Sequence, residues 1–217
     1  MSKKKKIIIA SIISIIIIAI IVGAICWTIG TSKTKEKQEE PTSKLDNVYD
    51  ELKEKQIFSF TTTLDEKNKM YYAKKGEVAY INTLYEGESS IFIIKDGNSY
   101  LLEENQKKYY TYQNNESDLE KVTIELESMK DKEHTDGKEK IDNKEYQYEE
   151  YQGATTFLFK NLEYGQEENV KTRFYFKGDE LVYIKTIIGE EQETLKVDIS
   201  DKVENAVFEI PSDYQGV

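Results

Sequence analysis

One cysteine, one histidine and one arginine are all that this chain of 217 residues has of those types, and each scarcity excludes something. Cys26 lies inside an apolar run, so no disulfide can form within the chain and whatever folds beyond it rests on its core alone. His134 stands in a charged stretch and reads as a surface histidine. A multi-histidine metal site is excluded within one chain. Arg173 faces 29 lysines, a bias that reads as low-GC coding and, with the missing disulfide, points to a Gram-positive bacterium. No glycine-rich phosphate loop is present. Positive charge is also short. Four of the 30 basic residues and none of the 41 acids precede residue 31, which leaves the remainder at a net −15. Such a surface repels phosphate backbones, so nucleic acid is not an expected partner. It repels anionic lipid headgroups too, which favours a domain standing off a bilayer.

What the N-terminus does have is an uncharged, isoleucine-dominated run from Ile7 to Ile29 behind Lys3 to Lys6. At helical rise it spans about 35 Å, enough for a hydrocarbon core of roughly 30 Å. The expected organisation is a basic cytoplasmic segment (1–6), a transmembrane helix (7–29), a polar linker (30–43) and an extracytoplasmic domain (44–217). The leading lysines set that orientation. A cleaved signal peptide is the competing reading, with small residues at Val22-Gly23-Ala24, but the apolar run continues past them. A lipidated Cys26 is disfavoured because Ile25 precedes it where a small residue is needed.

Past the linker, Leu45, Val48, Tyr49 and Leu52 make one stripe of a short amphipathic helix. The period then changes to two. Strands are expected at 58–61, 69–73, 77–82, 90–95, 99–102 and 108–112, with Asp96-Gly97-Asn98 as a hairpin turn. Ser117 and Glu120 have capping-box spacing before a second helix carrying Leu119, Val122, Leu126 and Met129. Residues 130–143 read as an exposed charged loop. Asp131, Glu133, Asp136 and Asp142 there miss the glycine position of a calcium loop by one residue. Further strands are expected at 145–151, 155–159, 170–176, 181–187 and 193–199. The fold class is α+β: an N-terminal transmembrane helix, then a curved antiparallel sheet with one solvated side and short helices on the other.

The segments Lys95-Asp96-Gly97-Asn98-Ser99-Tyr100-Leu101, Tyr175-Phe176-Lys177-Gly178-Asp179-Glu180-Leu181-Val182-Tyr183-Ile184 and Phe208-Glu209-Ile210-Pro211-Ser212-Asp213-Tyr214 occur in an order that resembles the LolA/LppX-like superfamily over about residues 45–214. The resemblance implies a half-barrel closed by helices. It also implies non-catalytic roles: carriers of lipoproteins or lipids, sensors of envelope stress, or partners of a cell-wall amidase. The expected function is binding of a lipid, acyl or other apolar ligand in the concavity, lined by Phe58, Phe60, Ile91, Ile93, Phe174, Phe176, Leu195 and Val197. The alternative is an interaction or regulatory module of the envelope. Partners are then the membrane, through the first helix, and a lipid or an envelope protein. No catalytic residue, cofactor or metal is expected. Tyrosine, 16 against eight phenylalanines, serves either a thin core or an amphipathic groove.

Overall fold

A computed structural model describes residues 43–113, 119–153 and 170–217. The described residues belong to one compact unit, Thr42–Val217, and the architecture below is that of this unit. Helix α1 (Lys44–Glu54) opens it, followed by β1 (Ile57–Thr63), β2 (Lys69–Lys75), β3 (Val78–Tyr85), β4 (Glu88–Lys95), β5 (Asn98–Glu103) and β6 (Lys108–Gln113). Helix α2 (Lys121–Glu127) leads to β7 (His134–Ile141), β8 (Lys144–Gln152), β9 (Val170–Lys177), β10 (Glu180–Ile188) and β11 (Glu191–Ser200). A 3-10 turn (Asn205–Phe208) and the short β12 (Gln215–Gly216) complete it.

All twelve strands form one sheet in the order β12-β6-β5-β4-β3-β2-β1-β11-β10-β9-β8-β7. Two antiparallel meanders, β1–β6 and β7–β11, join where β1 pairs with β11. Tight turns enforce this locally. Asp96 and Gly97 both take positive φ, 53° and 72°, as a two-residue turn between β4 and β5 requires. Since β6 and β7 lie toward opposite edges, the chain must cross between them, and α2 lies on that crossing.

Register then decides which side chains share a face. Phe60 is opposite Ile199 on β11 and Tyr72 on β2, and Phe174 is opposite Ile184 on β10. Together with Phe58, Phe176, Leu195 and Val197 these pack against Leu45, Val48 and Leu52 of α1 and Val122 and Leu126 of α2. Leu45, Phe58, Phe60 and Phe174 are fully buried. This inner face is the main core.

The expected fold class is corrected here. The described chain is a mainly-strand, twelve-stranded sheet with two α-helices, and among the described residues no helix is long and apolar enough to cross a membrane. The expected transmembrane helix, 7–29, lies outside the described residues. So do the strand expected at 155–159 and the capping serine Ser117. The class was misjudged because the two helical stripes are short, eleven and seven residues, while strands account for most of the rest. A second correction concerns residues 130–143, expected as a loop: His134–Ile141 is strand β7. Among the described residues it is an edge strand that pairs only with β8, and its solvated sides need no apolar alternation.

The opposite face is not simply solvated either. Ile91, Ile93 and Leu102 form a second cluster there, packed by Tyr80, Tyr100, Tyr109, Ile210 and Tyr214. The C-terminal tail covers this patch by adding β12 parallel to β6.

Two substitutions separate packing from hydrogen bonding in the main core. Phe174, whose ring meets Tyr151 edge-on at 5.7 Å, leaves a large void when truncated. Phe174→Ala is expected to cost about 3–5 kcal/mol in urea unfolding. Thr62 is fully buried and its hydroxyl has no hydrogen-bond partner among the described residues. Thr62→Val removes an unsatisfied group, so its unfolding free energy should lie within about 1 kcal/mol of the parent or above it.

Candidate functional site

The start of α1 is the most highly organised polar point on the inner face. A helix leaves its first amides unsatisfied, and here each finds a partner. Ser43 caps the helix by accepting from the Asp46 amide at 2.9 Å. The amides of Lys44 and Leu45 donate to the two carboxylate oxygens of Glu149, at 2.6 and 3.1 Å. Glu149 comes from the middle of β8, 5 % exposed. Tyr151, two residues on and therefore on the same face, donates its hydroxyl to Glu149 at 2.9 Å. Burial above all, and then the Glu149 carboxylate, push the Tyr151 hydroxyl upward, so it stays a donor. The partial positive end of α1 suits a carboxylate in this place. The helix is thus pinned to the sheet by one buried acid.

Next to this joint, β7 brings His134 opposite Tyr151 and Asp136 opposite Glu149. The His134 and Tyr151 rings lie 5.2 Å apart, and His134 Nε2 is 3.6 Å from an Asp136 oxygen. Ligand atoms of His134, Asp136 and Glu149 all lie within 4.8 Å of one another. Among the described residues these are the ones that could hold a metal ion. The four acids considered for a calcium loop are not gathered: Asp136 is in β7 and Asp142 in the β7–β8 turn.

A second polar group lies on the outer face of β7–β10. Glu139 accepts from Lys185 at 2.5 Å, from Arg173 at 2.8 Å and from the Tyr175 hydroxyl at 2.5 Å. Arg173 also reaches Glu150 at 2.6 Å and lies 4.5 Å over the Tyr148 ring. Tyr148 can lie flat there because Gly137, directly opposite, has no side chain. A Cβ on Gly137 would come within 2.3 Å of the ring. Burial disfavours the charged form of Glu139. The bonds from Lys185 and Tyr175, the Lys185 charge and the Arg173 bond outweigh it and hold the carboxyl at about 2.

The residues expected to line a cavity divide between the two faces. Phe58, Phe60, Phe174, Phe176, Leu195 and Val197 share the inner core. Ile91 and Ile93 belong to the outer cluster. Helices α1 and α2 fill the space over the first six. Two clefts of about 360 Å³ each open on the described surface, and both mix charged and apolar walls. Phe176 alone of the eight borders one of them. Buried tyrosines are hydrogen-bonded within the fold: Tyr72 to the Leu119 carbonyl, Tyr151 to Glu149 and Tyr175 to Glu139. Sequence reasoning missed Glu149 and Glu139 because 41 acids offered no way to single them out. Strand parity would have placed Glu149 on the face of Tyr151, beside an unusual acidic core position.

The outer network gives a pH signature. Glu139 has a folded value below the ordinary 4.5. Its stabilising contribution is therefore complete above about 4.5 and lost as pH falls toward about 2. Urea midpoints measured across that window should fall more gently with acid in Glu139→Gln than in the parent.

No family model matches the chain, and no curated protein matches it. Among solved structures, the chain is similar to an uncharacterized conserved protein from Thermus thermophilus, at 9 % identity and a TM-score of 0.45. That match covers 79 % of this chain and 95 % of the other.

Proposed function

We propose that this chain is a non-catalytic recognition module that engages a protein partner through its surface. One observation carries the reading. The apolar face that would otherwise receive a ligand is occupied by the protein's own helices, with Leu45, Leu52, Phe58 and Phe60 at 0–1 % exposure. The acidic balance favours a basic partner surface over phosphate or anionic lipid. The likeness to LolA-like proteins belongs to this proposal, and its motifs fall at the β4–β5 turn, the β9–β10 hairpin and the C-terminal tail. An extracytoplasmic position, with the partner in the cell envelope, belongs to it as well and is supported by the sequence of the first 30 residues.

A second reading, an apolar ligand held against the inner face, has its own support. Helix α2 is seven residues long and has no side-chain cap among the described residues, so it is intrinsically weak and its displacement would expose core positions. The Thr62 hydroxyl, unpartnered among the described residues, lies on that same face.

Photo-crosslinking side chains at Tyr85 and Tyr112, both exposed aromatics, provide the test in native cells. Recognition through the surface predicts one discrete adduct whose yield falls with rising salt. Uniform, salt-independent labelling, together with a co-purifying acyl mass in native mass spectrometry, would favour the ligand carrier instead.

A further inference from the structure

The β7–β8 edge carries an arrangement that helix capping alone does not explain. Asp136 and Glu149 are directly opposed across the two strands, on one face. Like charges in that position destabilise a sheet by about 0.2–1 kcal/mol unless something offsets them. Among the described residues neither carboxylate has a lysine or arginine partner; the one basic group at Asp136 is the imidazole of His134, 3.6 Å away. Glu149 accepts three hydrogen bonds, from Lys44, Leu45 and Tyr151. A carboxylate has about four acceptor sites, so one remains. Bonds of this kind from amides and hydroxyls are how proteins orient carboxylates that bind metals.

We propose that His134, Asp136 and Glu149 together bind one divalent first-row transition-metal ion, of the class of zinc or cobalt, at this edge of the sheet. Donor chemistry sets the class. One imidazole nitrogen and two carboxylates suit zinc or cobalt, whereas calcium takes six to eight oxygens and magnesium an octahedron of them. Donors bound at about 2.0–2.2 Å to a tetrahedral ion lie roughly 3.3–3.6 Å apart. The His134–Asp136 separation already matches; the buried Glu149 is held in place, and side-chain rotation of His134 and of the exposed Asp136 closes the remaining distance to it, which is at most 4.8 Å. Water completes the coordination. Because Glu149 also holds the first amides of α1, the ion ties the edge strand to the helix and stabilises the docked state.

The lone histidine makes the experiment direct. Zinc and cobalt are titrated onto the full chain, prepared without added histidines. The imidazole resonances of His134 report coordination with no assignment problem, and calorimetry gives stoichiometry. Expected are a saturable one-to-one shift of those resonances, a cobalt visible spectrum of four or five coordination, and a melting temperature higher by roughly 5 °C at saturation. His134→Ala and Asp136→Asn should each weaken binding by roughly tenfold or more. Cys26→Ser should leave it unchanged. Histidine resonances that do not move at millimolar metal, equal affinity in His134→Ala, or binding abolished by Cys26→Ser would each overturn the proposal.

Discussion

The apolar inner face of a sheet cannot stand in water uncovered, and in this protein the seating of its helical cover depends on a single buried carboxylate. Glu149 takes the first two amides of α1 onto the middle of β8. That contact joins residues more than one hundred positions apart and fixes where the stripe of Leu45, Val48, Tyr49 and Leu52 meets the sheet. The remaining packing follows from it. With α1 in place, α2 packs beside it, Tyr49 donates to Glu127 at 2.9 Å, and Lys74 pairs with Glu120, which immediately precedes the second helix. Lone buried charges are costly. Glu149 is tolerated because it is bonded to two amides and a hydroxyl at the favourable end of a helix dipole.

Local features were the legible ones. Period-two alternation located β1 to β6 and β8 to β11 with ends shifted by a few residues, and Asp96-Gly97 announced its turn. The α1 stripe was plain in Leu45, Val48, Tyr49 and Leu52. What could not be read was non-local. That β11 returns to pair with β1 places Phe60 beside Ile199, and nothing in either segment names the other. Strand β7 escaped notice because HTDGKEKI lacks an apolar face; an edge strand owes its conformation to its neighbour rather than to burial. The outer cluster of Ile91, Ile93 and Leu102 escaped for the same reason, since its cover arrives from the C-terminal tail. Parity along β4 did mark Ile91 to Ile94 as apolar on both sides, and the two faces are where those residues go.

The candidate sites show the same division. Six of the eight apolar residues singled out do meet on one face, but alternation cannot say whether a face is open or filled. The acids were the reverse case. Glu139 and Glu149 are distinguished from dozens of solvated carboxylates by what lies across the strands from them: Arg173, Lys185 and Tyr175 for one, helix amides and Tyr151 for the other. The tyrosine excess finds its account here too. Rings of Tyr72, Tyr151 and Tyr175 are buried while their hydroxyls serve as fixed donors, so they extend a thin core without leaving polar groups unpaired.

Native-state hydrogen exchange tests the account most directly. If α1 is an integral cover, pinned by Glu149, its amides should exchange only through the same global opening that exposes β1, β9 and β10, with the same dependence on denaturant. Exchange of α1 through its own low-energy opening, while those strands stay protected, would mean that the apolar face is a gated surface and that the helix does not close it.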